Sequence, residues 1–272
     1  MTPKQTMQTR QTKPVRQTGQ AGQRVIRLAG YIAAIIVILL VWALASFLVD
    51  STALPMPTDA LSQFIISFPE MLPHLWISLY RIVISMTIGT LAGTALGLLI
   101  GRSERLDLIG APLLYVLYPI PKIVFVPVLL VLLGLGNAPA IVLMSTVIFF
   151  QTIVTARAAA KSISPDLVVS VRSLGASKID VARHVVIPAS LPNIFTALRI
   201  STGTAVAILF VVESIAGSTG IGFYIINAWG RIAYPTMFAG IIAMALLGVL
   251  LYEVINIIES RMVKWLPKTE QL

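Results

Sequence analysis

Residues 164–192 read SPDLVVSVRSLGASKIDVARHVVIPASLP, a polar interruption between two long apolar runs. Connections are usually about 4–6 residues long, so an interruption of this size has a structure of its own. Ser164 is placed to cap a helix that opens on Pro165, with Asp166 complementing its dipole. Leu167, Val168, Val171 and Leu174 follow as an apolar stripe at helical spacing. Gly175 supplies the left-handed residue that ends this helix, and Ser177 caps a second one running to about Val186. Pro188 and Pro192 then lead into the next apolar run. The expectation is a helix–glycine–helix hairpin with basic flanks at Arg172, Lys178 and Arg183. Such a hairpin could lie on lipid headgroups, but its sharp bend suits a socket better than a plane.

The rest of the chain is too apolar for a soluble domain. Of its 272 residues 57% are apolar and 11% charged, with a mean hydropathy of +0.91; soluble domains carry about 25% charged residues. Apolar runs fall near Leu28–Val49, Trp76–Ile100, Leu113–Leu133, Ala138–Val154, Ile194–Val212 and Met237–Ile258. Each is close to the roughly 20 residues a helix needs to cross the hydrocarbon core. The expected fold is all-α, a polytopic membrane protein of about six transmembrane helices occupying 28–260. Residues 1–27 read as a disordered basic tail and 261–272 as a second tail. A signal peptide ending near Ala43-Leu44-Ala45 competes for the first run, but the run continues to Val49 and an even span count favours keeping it.

Sixteen of the twenty Lys and Arg residues fall on one side of this six-span plan, leaving Arg231 in the opposite loops and Arg81, Lys122 and Arg199 inside spans. That asymmetry puts both termini and the long interruption in the cytoplasm. It also accounts for the net charge of +9 without nucleic acid.

Four other stretches carry expectations. Asp50–His74, with four prolines, reads as an outer loop holding a short interfacial helix near 60–68, and His74 as an ordinary interfacial residue. Gly89, Gly93 and Gly97 share one helix face, for packing within the chain or against a second copy. Pro119 and Pro121, between Tyr118 and Lys122, break the third span. Broken backbone at membrane depth needs protein or a watery cavity around it. Lys122 therefore either serves transport or snorkels to the interface. Glu213, near the end of the fifth span, either pairs with Arg231 across the GSTGIG loop of 217–222 or faces solvent.

Several chemistries are excluded. There is no cysteine, no G-x-x-x-x-G-K-[ST] phosphate loop, no H-E-x-x-H and no G-x-S-x-G, and only His74 and His184 are available. The chain has the parts of neither an ATPase nor a metal site.

The interruption resembles the signature of ABC-importer membrane subunits: EAA, three residues, G, nine residues, I-x-L-P. Here it runs Val169-Ser170-Val171, Gly175, then Val185-Val186-Ile187-Pro188, with every spacing kept. RSLGAS at 172–177, VVIPASLP at 185–192, YPIPKIVFVPVLLVLLGLGNA beginning at Tyr118 and ESIAGSTGIGFYI at 213–225 are similar to the nitrate/sulfonate/taurine branch. One departure stands out: Val169 occupies the position of the family's glutamate.

The resemblance implies a type I ABC-importer permease fold in a bacterial inner membrane, with a cytoplasmic coupling helix in segment 164–188. It implies two ATP-binding cassette subunits that carry ATP and Mg²⁺, an extracytoplasmic solute-binding protein and a second copy of this chain. No cofactor is expected on the chain itself and no enzymatic activity. Coupling would fall to Asp166, Leu167, Val169, Ser170, Val171, Arg172, Leu174, Gly175, Ala176, Ser177, Val185 and Pro188. Tyr118, Pro119, Pro121, Lys122 and Glu213 are the candidates for the translocation path. The solute is expected to be a small anion or zwitterion, with a thiamine-pyrimidine-type or other small organic nutrient as the alternative. An autonomous secondary transporter is the competing class; it calls for intramembrane acids, of which only Glu213 and Glu253 are candidates.

Overall fold

The computed structural model describes residues 20–265, with side chains from residue 29 onward. The first nineteen residues of the expected N-terminal tail and 266–272 of the C-terminal one lie outside the described residues. Every regular element among the described residues is helical. Five helices are long and apolar enough to cross a membrane, or six if one bent pair counts as a span.

The described residues divide into two compact units, 20–57 and 58–265. In the first, α1 (Gln20–Val49) contains the apolar stretch Ala29–Val49 and begins well ahead of the expected Leu28. Ser46 Oγ donates to Leu54 O at 2.7 Å and Trp42 Nε1 to Pro55 O at 3.1 Å, folding the following turn back on the helix.

In the second unit, α2 (Pro57–Arg102) runs unbroken for 46 residues through Pro69 and Pro73. The expected outer loop and separate interfacial helix are therefore corrected to the first turns of one long helix. Proline costs about 3 kcal/mol inside a helix, and burial offsets it here. Met71 is fully buried against Ile221, Tyr224, Ala239 and Met244, with Phe64 and Leu75 packed alongside. Farther along, Gly89 and Gly93 bring α2 onto α5 (Asn137–Ser162): a Cβ on either would lie 2.7–2.8 Å from Ser145 O or Phe149 O. The glycine face thus packs within the chain.

The expected single span Leu113–Leu133 is two helices. α3 (Glu104–Leu117) and α4 (Val126–Leu133), with a 3₁₀ turn Lys122–Phe125 ahead of the latter, are bent by 75° at Tyr118–Pro121. At the other end of α3, Asp107 accepts from both Arg157 and Lys161 of α5, so these charges gather at one end of the bundle.

α6 (Pro165–Ser173) and α7 (Lys178–Val181) form the hairpin. The expected break between the second hairpin helix and the next span is absent, because α7 continues through a π turn at Ala182–Val186 into α8 (Ile187–Ala216). Pro188 lies in the first turn of α8, and the widened π turn relieves the clash its ring would make with the preceding turn. α9 (Ile221–Gly230) and α10 (Tyr234–Met262) complete the fold. The core between α2, α5, α8 and α10 is built from Ile82, Leu143, Met144, Ile148, Leu209, Leu247 and their neighbours.

Candidate functional site

The hairpin stands on an apolar pedestal. Val168, Val181, Val185 and Val186 are buried with Ala160 and Ile163 from the end of α5, and Leu98, Val171 and Ala176 pack against them. Ser164 Oγ accepts from the Asp166 N–H at 3.2 Å, and Pro165 follows in the first turn. Gly175 has φ +87°, the left-handed conformation its position predicted. Ser177 and Asp180 form a reciprocal capping box: Asp180 Oδ2 accepts from the Ser177 N–H at 2.9 Å and from its hydroxyl at 2.6 Å. Those two bonds hold the Asp180 carboxyl below the usual carboxylate range.

Of the predicted apolar stripe, Val168 is buried and Val171 half-buried, while Leu167 and Leu174 are exposed. Val169, Ser170, Arg172, Lys178 and Arg183 are exposed too. Val185 and Pro188, predicted for coupling, lie at the base, Val185 buried in the pedestal and Pro188 in the first turn of α8.

The corner between α3 and α4 is closed by Lys122. Its Nζ donates to Leu117 O at 2.8 Å and Tyr118 O at 2.6 Å, two carbonyls at the end of α3. The same ammonium lies 4.4 Å from the centre of the Phe150 ring. Pro119 and Pro121 contribute no donors to this corner. Lys122 thus satisfies the broken backbone directly. Tyr118 and Pro119, with Tyr115 and Arg157, line an open cleft beside the corner.

Glu213 does neither of the things expected of it. It is 1% exposed, and its partner is Arg81, whose Nη1 donates to Oε1 at 2.7 Å. Ser78 Oγ donates to the same carboxylate at 2.9 Å and the Gly222 N–H at 2.8 Å. Arg81 also donates to Asn137 Oδ1, Thr219 O and Thr219 Oγ1. The Gly220 N–H reaches His74 Nδ1 at 3.1 Å, and the Ile221 N–H reaches Ser78 Oγ at 2.9 Å. Gly220 has φ +108°, and a Cβ there would overlap the Glu213 carboxylate. GSTGIG is therefore a wrap around one buried acid, joining α2, α5, α8 and α9. The adjoining cavity is about 10 Å³, room for about one water. Arg231 stays outside this cage, donating to the Asn227 carbonyl of its own helix.

The sequence does not connect Arg81, Ser78 or His74 with this loop, because nothing local links them to residues more than 130 positions away. No group of three or more His, Cys, Asp or Glu among the described residues is arranged to hold a metal.

A family model described as binding-protein-dependent transport system inner membrane component matches residues 85–264. The chain is 29% identical over 232 residues to the taurine transport system permease protein TauC of Escherichia coli (strain K12), covering 82% of this chain and 84% of TauC. It is 30% identical over 186 residues to the nitrate import permease protein NrtB of Leptolyngbya laminosa, covering 68% of this chain and 67% of NrtB. Among solved structures, a chain of a bacterial ABC transporter involved in import of the acidic polysaccharide alginate superposes with a TM-score of 0.63 at 16% identity, over 89% of this chain and 98% of that one.

Proposed function

Because the chain belongs to the family of binding-protein-dependent transport system inner membrane components, we propose that it forms the translocation path of an ATP-driven importer for a small anionic or zwitterionic solute. Its relatives include permeases named for taurine and nitrate, a zwitterion and an oxyanion. The observation that carries the reading is the hairpin 165–183: a two-helix element held on a buried pedestal yet presenting exposed apolar and basic side chains. An importer subunit without a phosphate loop takes its work from a separate ATPase, and a firmly seated protrusion is what such a partner can push.

In this reading both termini and the hairpin are cytoplasmic, in keeping with the Lys and Arg distribution. Two ATP-binding subunits dock on two copies of the chain, and ATP with Mg²⁺ is bound there. An extracytoplasmic binding protein delivers the solute to the opposite face. The Tyr118–Lys122 corner borders the path, with Lys122 holding the corner and Glu213 fixing the outer ends of the helices around it.

Reconstitution tests this directly. Liposomes containing the chain, its ATP-binding subunit and its binding protein should accumulate taurine or nitrate only with internal ATP. Uptake by the chain alone, driven by an ion gradient, would overturn the proposal.

A further inference from the structure

We propose that His74 is an acid-sensitive latch on the 217–222 loop: its neutral ring holds the loop around Glu213, and uptake of a proton releases it. Its placement at the outer face rests on the functional reading above; the latch itself rests on side-chain geometry.

One hydrogen bond fixes the state of the ring. The Gly220 N–H donates to His74 Nδ1 at 3.1 Å, so Nδ1 presents a lone pair and the ring is the neutral tautomer protonated at Nε2. A protonated imidazole has a donor at both nitrogens. Two N–H groups would then face each other, and the backbone donor of buried Gly220 would lose its acceptor. Neither side can easily give way. Gly220 is wedged against the Glu213 carboxylate, which a Cβ would meet at 2.2 Å. The imidazole is flanked by the rings of Tyr224 and Phe223, with centres 5.6 and 6.0 Å away.

The neighbouring charges do not welcome a second cation. From α8 comes Glu213, which Arg81 of α2 already engages at 2.7 Å, with Ser78 and the Gly222 N–H on the same carboxylate. α9 contributes Tyr224, and α10 contributes Ala239, Ala243 and Met244 to the cluster alongside, none of which titrates. Glu70, one turn earlier on α2, is exposed and in no ion pair among the described residues. An exposed pair at that spacing returns little. The sign follows: the latch holds fully above the range where an imidazole titrates, about pH 6.5, and is lost as pH falls through it.

Protons of the outer medium reach this position. α2 is 46 residues long, about 69 Å, more than twice the roughly 30 Å hydrocarbon core. Counted back from Arg102 at its basic end, that core is crossed in about 20 residues. His74 stands beyond it, about 42 Å from Arg102 along the helix. Because the wrap joins α2, α5, α8 and α9, its release loosens the outer ends of these helices, and transport slows when the outer medium turns acidic.

The chain has only two histidines, His74 and His184, so the titrating group can be assigned. In neutral-lipid nanodiscs the thermal midpoint of the full chain should fall by at least about 2 °C between about pH 8 and about pH 5.5. The fall should be absent in His74→Asn, whose amide oxygen can accept from Gly220 but does not titrate, and intact in His184→Asn. Nitrogen-15 histidine spectra of wild type at about pH 8 should show His74 Nδ1 without a proton. A fall that survives in His74→Asn, a wild-type midpoint that does not move, or a proton on that Nδ1 would each overturn the latch. In proteoliposomes with the ATP-binding subunit and the binding protein, acid on the binding-protein side should slow taurine uptake by wild type and not by His74→Asn. If the same His74-dependent slowing needs acid on the ATP side instead, the latch stands and the orientation in the functional reading falls.

Discussion

Arg81 on α2 and Glu213 on α8 meet at 2.7 Å, 132 residues apart in the chain and nearly inaccessible to water. Breaking one partner of a buried pair leaves an uncompensated charge and costs about 3–5 kcal/mol. Arg81→Met and Glu213→Leu should each lower the thermal midpoint in detergent sharply. The double variant should be less damaged than the sum of the two, because neither charge is left behind. Additive losses would mean that the two side chains act independently.

The wrap around that acid depends on one residue without a side chain. Gly220→Ala should lower the midpoint well beyond Gly230→Ala, whose added carbon meets nothing within 4 Å. Comparing the two melting curves checks the point, and equal effects would contradict the close packing of Gly220 on Glu213.

At the hairpin, Gly175 has free space around it and a positive φ, so a substitution there is penalised by backbone alone. Gly175→Val should cost about 1–2 kcal/mol locally and abolish ATP-driven uptake while membrane insertion persists. Gly175→Asn should retain most uptake, since asparagine tolerates the left-handed region. Normal uptake by Gly175→Val would count against force passing through this turn.

Lys122→Met removes the ammonium from two carbonyls and should destabilise the corner by about 1–3 kcal/mol. Its discrimination among taurine, nitrate and sulfate should not change if the lysine serves the corner. A shift in discrimination, measured by competition for uptake, would place the ammonium on the path itself.

The lack of native cysteine makes topology testable one residue at a time. A cysteine at Leu174 should react with an impermeant maleimide only in inverted vesicles, and one at Trp229 only from the outside of intact cells. The reverse pattern would invert the proposed orientation.

Local chemistry was readable and distant chemistry was not. Ser164, Gly175 and Ser177 announce the hairpin because capping and left-handed turns depend on residues a few positions apart. The glycines of α2 announce close packing, though not which helix they meet. Pro69 and Pro73 misled, since local propensity forbids what burial of Met71 supports. The end of the hairpin misled likewise: Pro188 suggests a stop, and a π turn carries the helix past it. Glu213 looked ready for Arg231 because the two are close in sequence, but its partner arrives with the packing of α2 on α8.

The unbroken passage from α7 into α8 makes Lys178–Ala216 a single 39-residue rod, about 58 Å long at 1.5 Å per residue. One end is the exposed hairpin and the other is clamped to α2 and α9 through Glu213. A rod swung about its middle moves its two ends in opposite senses, so a tilt of about 10° displaces each by about 5 Å over that length. In the proposed reading, input and response would be two ends of one lever, with no relay of side chains required between them. The hydrogen-bond pattern of this rod changes at the π turn Ala182–Val186, close to the hairpin end.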